Sequence, residues 1–214
     1  MGSHSGALDA PFLTAAASSL DLLGLPEVVA RWATDSALPK MSVGALACHL
    51  GRQAARAAEL LAEESDLPAL VSAEEHYRRA AWVTSTSPDD PANDRSLDDE
   101  EALIGPAALL SRTATALATV RSLLADGSAR DVVPVPWQGW SLPRADFLLT
   151  RLVEIVVHSD DLALSVGVPT PEFPEEAFGP VRDLLVRLAV RRHGQSAIVG
   201  TLAREERTRV ISAF

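Results

Sequence analysis

The chain has 214 residues, enough to bury a large core, and is 47% hydrophobic but only 5% aromatic, with much of the apolar share in Ala and Leu; that balance favours packed helices over strand-rich sandwiches or barrels. A formal net charge of −10 and a pI near 4.9 set the surface against phosphate backbones and anionic membranes, which excludes nucleic acid and membranes as expected partners. The single Cys48 rules out an internal disulfide and suits a reducing cytosol, and no apolar run reaches the roughly 18–20 residues that span a bilayer.

Residues 1–6 read as a tag remnant and disordered start with no secretory pattern, so His4 is set aside, and residues 7–214 are expected to form one domain. A first helix is expected over 10–23, ended by Gly24-Leu25-Pro26, with a short helix over 26–32. Ser42 is a good N-cap for a long helix over 42–63, in which Leu46, Leu50, Ala54, Ala57 and Leu61 form an apolar stripe. His49 and Gln53 lie one turn apart at the edge of that stripe, placed to point into a bundle. Ser72 opens a helix over 72–83, and Ser72-x-x-Glu75 matches a capping box. The polar, acid-rich stretch 85–99 reads as a loop, and a long helix follows over 100–124, closed by Asp126-Gly127.

Residues 131–143 are the one stretch that does not read as helix, because Val132-Val133-Pro134-Val135-Pro136 is held extended by its prolines. Trp137 and Trp140 follow, and two tryptophans in a short connection either stack on a ligand or plug the end of a bundle. Pro143 starts a helix over 143–165, another runs over 175–192, and a short helix over 195–204 precedes a tail. The expected fold is therefore all-α, a four-helix bundle built from 42–63, 100–124, 143–165 and 175–192, with short accessory helices and a non-helical insertion.

The helix over 143–165 is almost encircled by apolar residues, Phe147, Leu148, Leu149, Leu152, Val153, Ile155, Val156, Val157 and Leu162. One narrow polar stripe survives at helical spacing: Arg151, Glu154, His158 and Asp161. An ordinary surface helix shows a broader polar face. Glu154 and His158, at i and i+4, face the same way, and with His49 they make a two-imidazole, one-carboxylate set that leaves a coordination position open on a divalent metal. On spacing alone, a Glu and a His one turn apart are more often a solvated pair on an exposed stripe. Ionisable groups on so apolar a helix must be paired or metal-bound if they are buried. Neutral imidazoles are the ligating form, so metal affinity is expected to fall below about pH 6.5. Cys48, about 100° around the helix from His49, is read as a small buried apolar residue rather than a nucleophile or ligand.

The run Met41-Ser42-Val43-Gly44-Ala45-Leu46-Ala47-Cys48-His49-Leu50, with Trp32 upstream and Arg151-Leu152-Val153-Glu154-Ile155-Val156-Val157-His158-Ser159-Asp160-Asp161-Leu162 downstream, resembles the mycothiol-dependent maleylpyruvate isomerase family. That family belongs to the DinB-like superfamily of metal-binding four-helix bundles. The Arg191-Arg192-His193-Gly194 ending, with Ile211-Ser212-Ala213-Phe214 after it, also looks like actinobacterial members. The resemblance implies that His49, Glu154 and His158 hold one divalent metal, zinc first, with nickel, manganese or iron also fitting the donor set. It further implies a cytoplasmic enzyme that uses a low-molecular-weight thiol, mycothiol, against a small-molecule electrophile, as an S-transferase or isomerase, in a monomer or homodimer. Within that reading Asp161 orients the His158 ring, while Arg151, Gln53 and Trp140 are candidates to contact the cofactor, Arg151 alternatively pairing with Glu154. His76 and His193 are placed on surfaces or helix ends. The isomerase carries a further C-terminal domain that the residues after His193 cannot build, so its substrate preference need not carry over. Two other readings stay open: a hydrolase on the same scaffold, in which water takes the place of the thiol, and a non-enzymatic binding or stress-response bundle.

Overall fold

The protein is described by a computed structural model that covers residues 6–84 and 96–214. The described residues form ten helices and one small two-stranded sheet and are 67% helical, which makes the fold an all-α bundle. The tag-like start at 1–5 and positions 85–95 of the expected loop lie outside the described residues. In chain order the elements are α1 (Asp9–Leu23), α2 (Pro26–Ala30), α3 (Val43–Leu60), α4 (Ala73–Arg79), α5 (Ala81–Thr84), α6 (Ser96–Ala102) and α7 (Pro106–Ala125). Strands β1 (Val132–Val135) and β2 (Trp140–Pro143) follow, and then α8 (Arg144–Val166), α9 (Glu175–His193) and α10 (Gln195–Ala203).

The mutually packed core is α1, α3, α7 and α8. This corrects the expected set: α9 forms as foreseen but lies outside, against α8 and α1. Amphipathic spacing identifies an apolar face and says nothing of which helices share one core. Here the short α1 takes the fourth place because Phe12, Ala15, Ala16, Leu22 and Leu23 are all buried. The long helix expected over 100–124 is two helices. Gly105 stands at φ 79° and Pro106 occupies the first turn of α7, so the chain turns there instead of continuing. Positions 96–99, expected in the loop, are the start of α6. The helix expected over 72–83 is interrupted at Ala80, whose ψ of 122° is extended.

Local signals otherwise act as their chemistry requires. The Ser42 Oγ accepts from the Ala45 N–H at 3.1 Å and caps α3. Half of the capping box forms: the Ser72 Oγ accepts from the Glu75 N–H at 3.3 Å, while the Glu75 carboxylate turns to Arg78 and Arg79. The proline-rich stretch is an antiparallel hairpin in which Val132 faces Pro143 and Val135 faces Trp140. The two tryptophans part ways, and only Trp140 packs against the core. Trp137 is 47% exposed beneath the Arg56 guanidinium, and Trp140 is half-buried, its indole N–H donating to His76 Nδ1 at 3.1 Å. No described helix is long and apolar enough to cross a membrane.

Close helix approach depends on small residues of α3. A Cβ on Gly51 would stand 2.6 Å from Thr113 Oγ1 and 2.9 Å from Leu109 Cδ1, both on α7. Gly51→Ala is therefore expected to force α3 and α7 apart and destabilise the fold by about 1–3 kcal/mol, the usual cost of overpacking. A lower urea midpoint at unchanged m-value checks this, and an unchanged midpoint would show that the α3–α7 contact yields freely.

Candidate metal centre

Two core helices, α3 and α8, bring the site together from inside. On α8, Leu148, Leu152 and Leu162 are fully buried, and each contributes about 1.5–3 kcal/mol of transfer free energy. That burial outweighs the cost of carrying a polar stripe into the interior, and it fixes which way the stripe points. Glu154 and His158 turn toward α3, where they meet His49. The three side chains are only 13–19% exposed.

His49 Nε2 and His158 Nε2 each lie 3.2 Å from the same Glu154 oxygen, Oε2, and one donor atom from each of the three residues falls within 4.8 Å of the others. The rings stand edge-on, centroids 4.7 Å apart. The far nitrogens also face carboxylates. His158 Nδ1 is 2.9 Å from Asp161 Oδ2, and His49 Nδ1 is 3.2 Å from Asp98 Oδ2. A proton on each Nδ1 satisfies those contacts, and each Nε2 then presents its lone pair to the Glu154 carboxylate. Lone pairs facing one another across 3.2 Å require a positive charge between them, either a proton or a cation. The spacing suits a cation: donors about 2.0–2.1 Å from a tetrahedral zinc ion lie roughly 3.4 Å apart.

The electrostatics agree. Burial pushes the Glu154 carboxyl up, but hydrogen bonds and charge from His158 and His49 outweigh it and hold the group well below the usual carboxylate range. Burial lowers His158, and Asp161 and Glu154 more than offset that, raising it to about 9. Without a metal, then, a proton sits on His158 at neutral pH. A metal held by His158 would compete with that proton from about pH 9 downward, above the pH 6.5 of an unperturbed imidazole.

The remaining candidates fall into place around this centre. Gln53 is buried, donates to the His49 carbonyl at 2.8 Å and accepts from Arg151 Nη1 at 2.8 Å. Arg151 thus turns to Gln53 and to Thr150 Oγ1 rather than to Glu154. Trp140 stands off the triad, bonded to His76. Cys48 is buried, and burial with the Glu101 carboxylate pushes its thiol up to about 12, in keeping with the apolar role expected for it. His193 is half-buried at the end of α9, where its Nε2 accepts from the Ser212 N–H at 3.1 Å. His76 departs from expectation. It is 4% exposed, wedged between Tyr77 and Trp140 rather than on a surface. Sequence reasoning missed Asp98, which the acid-rich loop reading concealed, and Arg52, whose Nη2 lies 2.6 Å from Asp98 Oδ1. Asp161 also lines an outer groove of about 540 Å³ with Val156, Val157, Phe173 and Phe178, room enough for a small organic molecule.

The sequence profile of the mycothiol maleylpyruvate isomerase N-terminal domain matches residues 12–163. The chain belongs to that family. The matched span takes in α1 through most of α8 and so contains His49, Glu154, His158 and Asp161. Membership ties the chain to mycothiol-linked enzyme chemistry in general. Neither a curated protein nor a solved structure matches it.

Burial of His76 gives a stability prediction. Its folded pKa is lowered to about 4, first by burial and then by the Arg151 charge. Above pH 6.5 both folded and unfolded states hold it neutral; as pH falls from 6.5 toward 4 only the unfolded state takes up the proton, so stability drops with falling pH by up to about 3 kcal/mol. His76→Phe is expected to flatten that part of the stability–pH curve. An equally steep curve in the variant would mean that other groups govern it.

Proposed function

We propose that the chain is a metal-dependent enzyme that uses mycothiol against a small electrophile, as an S-transferase or an isomerase. The observation that carries the metal is the convergence of two imidazole nitrogens on one half-buried carboxylate oxygen, each ring tied from behind by a second carboxylate. His49, Glu154 and His158 would hold the ion, and two nitrogens with one oxygen favour zinc. Such an ion, with positions left open, supplies Lewis acidity that lowers a thiol's pKa, so that the nucleophile exists at neutral pH.

The protein's own residues do the rest. Asp161 holds the His158 Nδ1–H and so keeps Nε2 aimed inward. Gln53 anchors the Arg151 guanidinium one turn before Glu154, where its charge faces whatever enters beside the triad. Trp140, fixed through His76, offers a flat indole wall, and the groove shared by Asp161 gives apolar room for an electrophile. With Cys48 buried and protonated, a sulfur nucleophile has to come from a cosubstrate. The reading goes with residues 7–214 acting as one domain, monomeric or dimeric, in an actinobacterial cytosol where mycothiol is the abundant thiol.

Two measurements test it. Purified protein is expected to take up one zinc per chain, and His158→Ala to lose most of that uptake; equal stoichiometry in both removes the ligand assignment. In cobalt-substituted protein, mycothiol is expected to produce a sulfur-to-metal charge-transfer band. A spectrum indifferent to mycothiol, with ester hydrolysis proceeding in its absence, makes the protein a hydrolase instead.

A further inference from the structure

We infer that Asp98 is a positioning residue, through which docking of α6 onto the bundle sets the orientation of the His49 ring and the cation affinity of the site. The inference rests on His49 being a ligand, as proposed above. The two histidines are oriented by different means. His158 has its carboxylate three residues on along the same helix, so α8 supplies both partners as soon as it forms. The carboxylate facing His49 comes from 49 positions away, on a seven-residue helix outside the four-helix core.

Asp98 is only 4% exposed at its side chain, and a carboxylate so buried has to be paired. Its Oδ2 lies 3.2 Å from His49 Nδ1, and its Oδ1 lies 2.6 Å from Arg52 Nη2. Arg52 is one turn beyond His49 on α3, and the same Nη2 donates to Glu101 Oε2 at 2.7 Å. One guanidinium therefore grips two acids of α6 beside the imidazole. A second tether closes the far end of the helix, where the Trp32 indole N–H donates to the Ala102 carbonyl at 3.0 Å. Trp32 is itself seated against Gly44 of α3, where an added Cβ would stand 2.6 Å from the indole ring. A surface ion pair between α3 and α6 would hold the helix without burying Asp98 or aiming it at an imidazole nitrogen; both are observed.

The test uses the whole chain. Asp98→Asn keeps the shape and removes the charge. It is expected to weaken zinc binding about 10–100-fold in chelator competition, the usual range for a residue behind a ligating histidine. In the metal-free protein, ¹⁵N spectra of the His49 ring are expected to show loss of the Nδ1–H preference seen in wild type. That spectrum depends on no metal, so it decides the role of Asp98 even if His49→Ala leaves zinc uptake intact and the ligand reading fails. Wild-type zinc affinity and wild-type ring spectra in Asp98→Asn overturn the inference; so does weaker binding with an unchanged ring, which would make Asp98 a distant charge only. Should Asp98→Asn fail to fold, Trp32→Phe removes the α6 tether while keeping an aromatic ring beside Gly44. A two- to fivefold loss of zinc affinity is expected there, and no loss would show that α6 docking does not matter.

Discussion

Everything about this molecule turns on one buried carboxylate. Removing an ion of this kind from water costs several kcal/mol even after the surroundings relax. Glu154 is nevertheless ionised, because two imidazoles approach the same oxygen. The arrangement is stable only while something positive lies between those groups. The leucine burial on α8 holds the carboxylate in place, and the acids behind the rings face their outer nitrogens. Packing alone would favour apolar residues at all three positions. Their presence together marks a candidate ligand set at the centre of the bundle.

That same arrangement explains why the centre is ready before any ion arrives. Burial lowers the His158 pKa, but Asp161 and Glu154 more than offset this, so the ring carries a proton near neutrality. The proton stands where a cation's charge would stand and keeps the donors gathered. An ion held there would replace that proton's positive charge with its own. Preorganisation of this kind is what allows a metal to work as a catalyst rather than merely as a staple.

The parts of the site legible in the sequence were those written along a single helix. Glu154, His158 and Asp161 are one turn apart on a helix with no other polar face, so their shared direction followed from 3.6-residue periodicity alone. Ser42 and the prolines around Val135 were equally local signals, and both acted as their chemistry dictates. What stayed hidden depended on distant parts of the chain. Asp98 lies in an acid-rich run indistinguishable from a solvated loop until Arg52 and His49 are brought beside it. His76 sits among Glu74, Glu75, Arg78 and Arg79, a surface pattern by composition, yet the ring is covered by Trp140 from the hairpin. The exchange of α1 for α9 in the core has the same origin: each helix has an apolar face, and only three-dimensional packing chooses between them.

The fate of the one cysteine completes the physical case. A thiol that serves as a nucleophile needs exposure and a neighbouring positive charge. Cys48 is buried in the core cluster, and the carboxylates of Glu101 and Asp98 add to the burial that keeps it protonated. Asp98 also faces the imidazole next to it in sequence, while Glu101 pairs with Arg52, so the field that orients His49 is part of the field that silences Cys48. Two faces of α3, about 100° apart, thus carry the imidazole and the buried thiol separately, and the chain's own sulfur stays protonated in the core. A fold that bound a thiol cosubstrate while exposing its own thiolate at the same site would invite mixed disulfides between the two. Burial of Cys48 removes that competition without any change to the donor set.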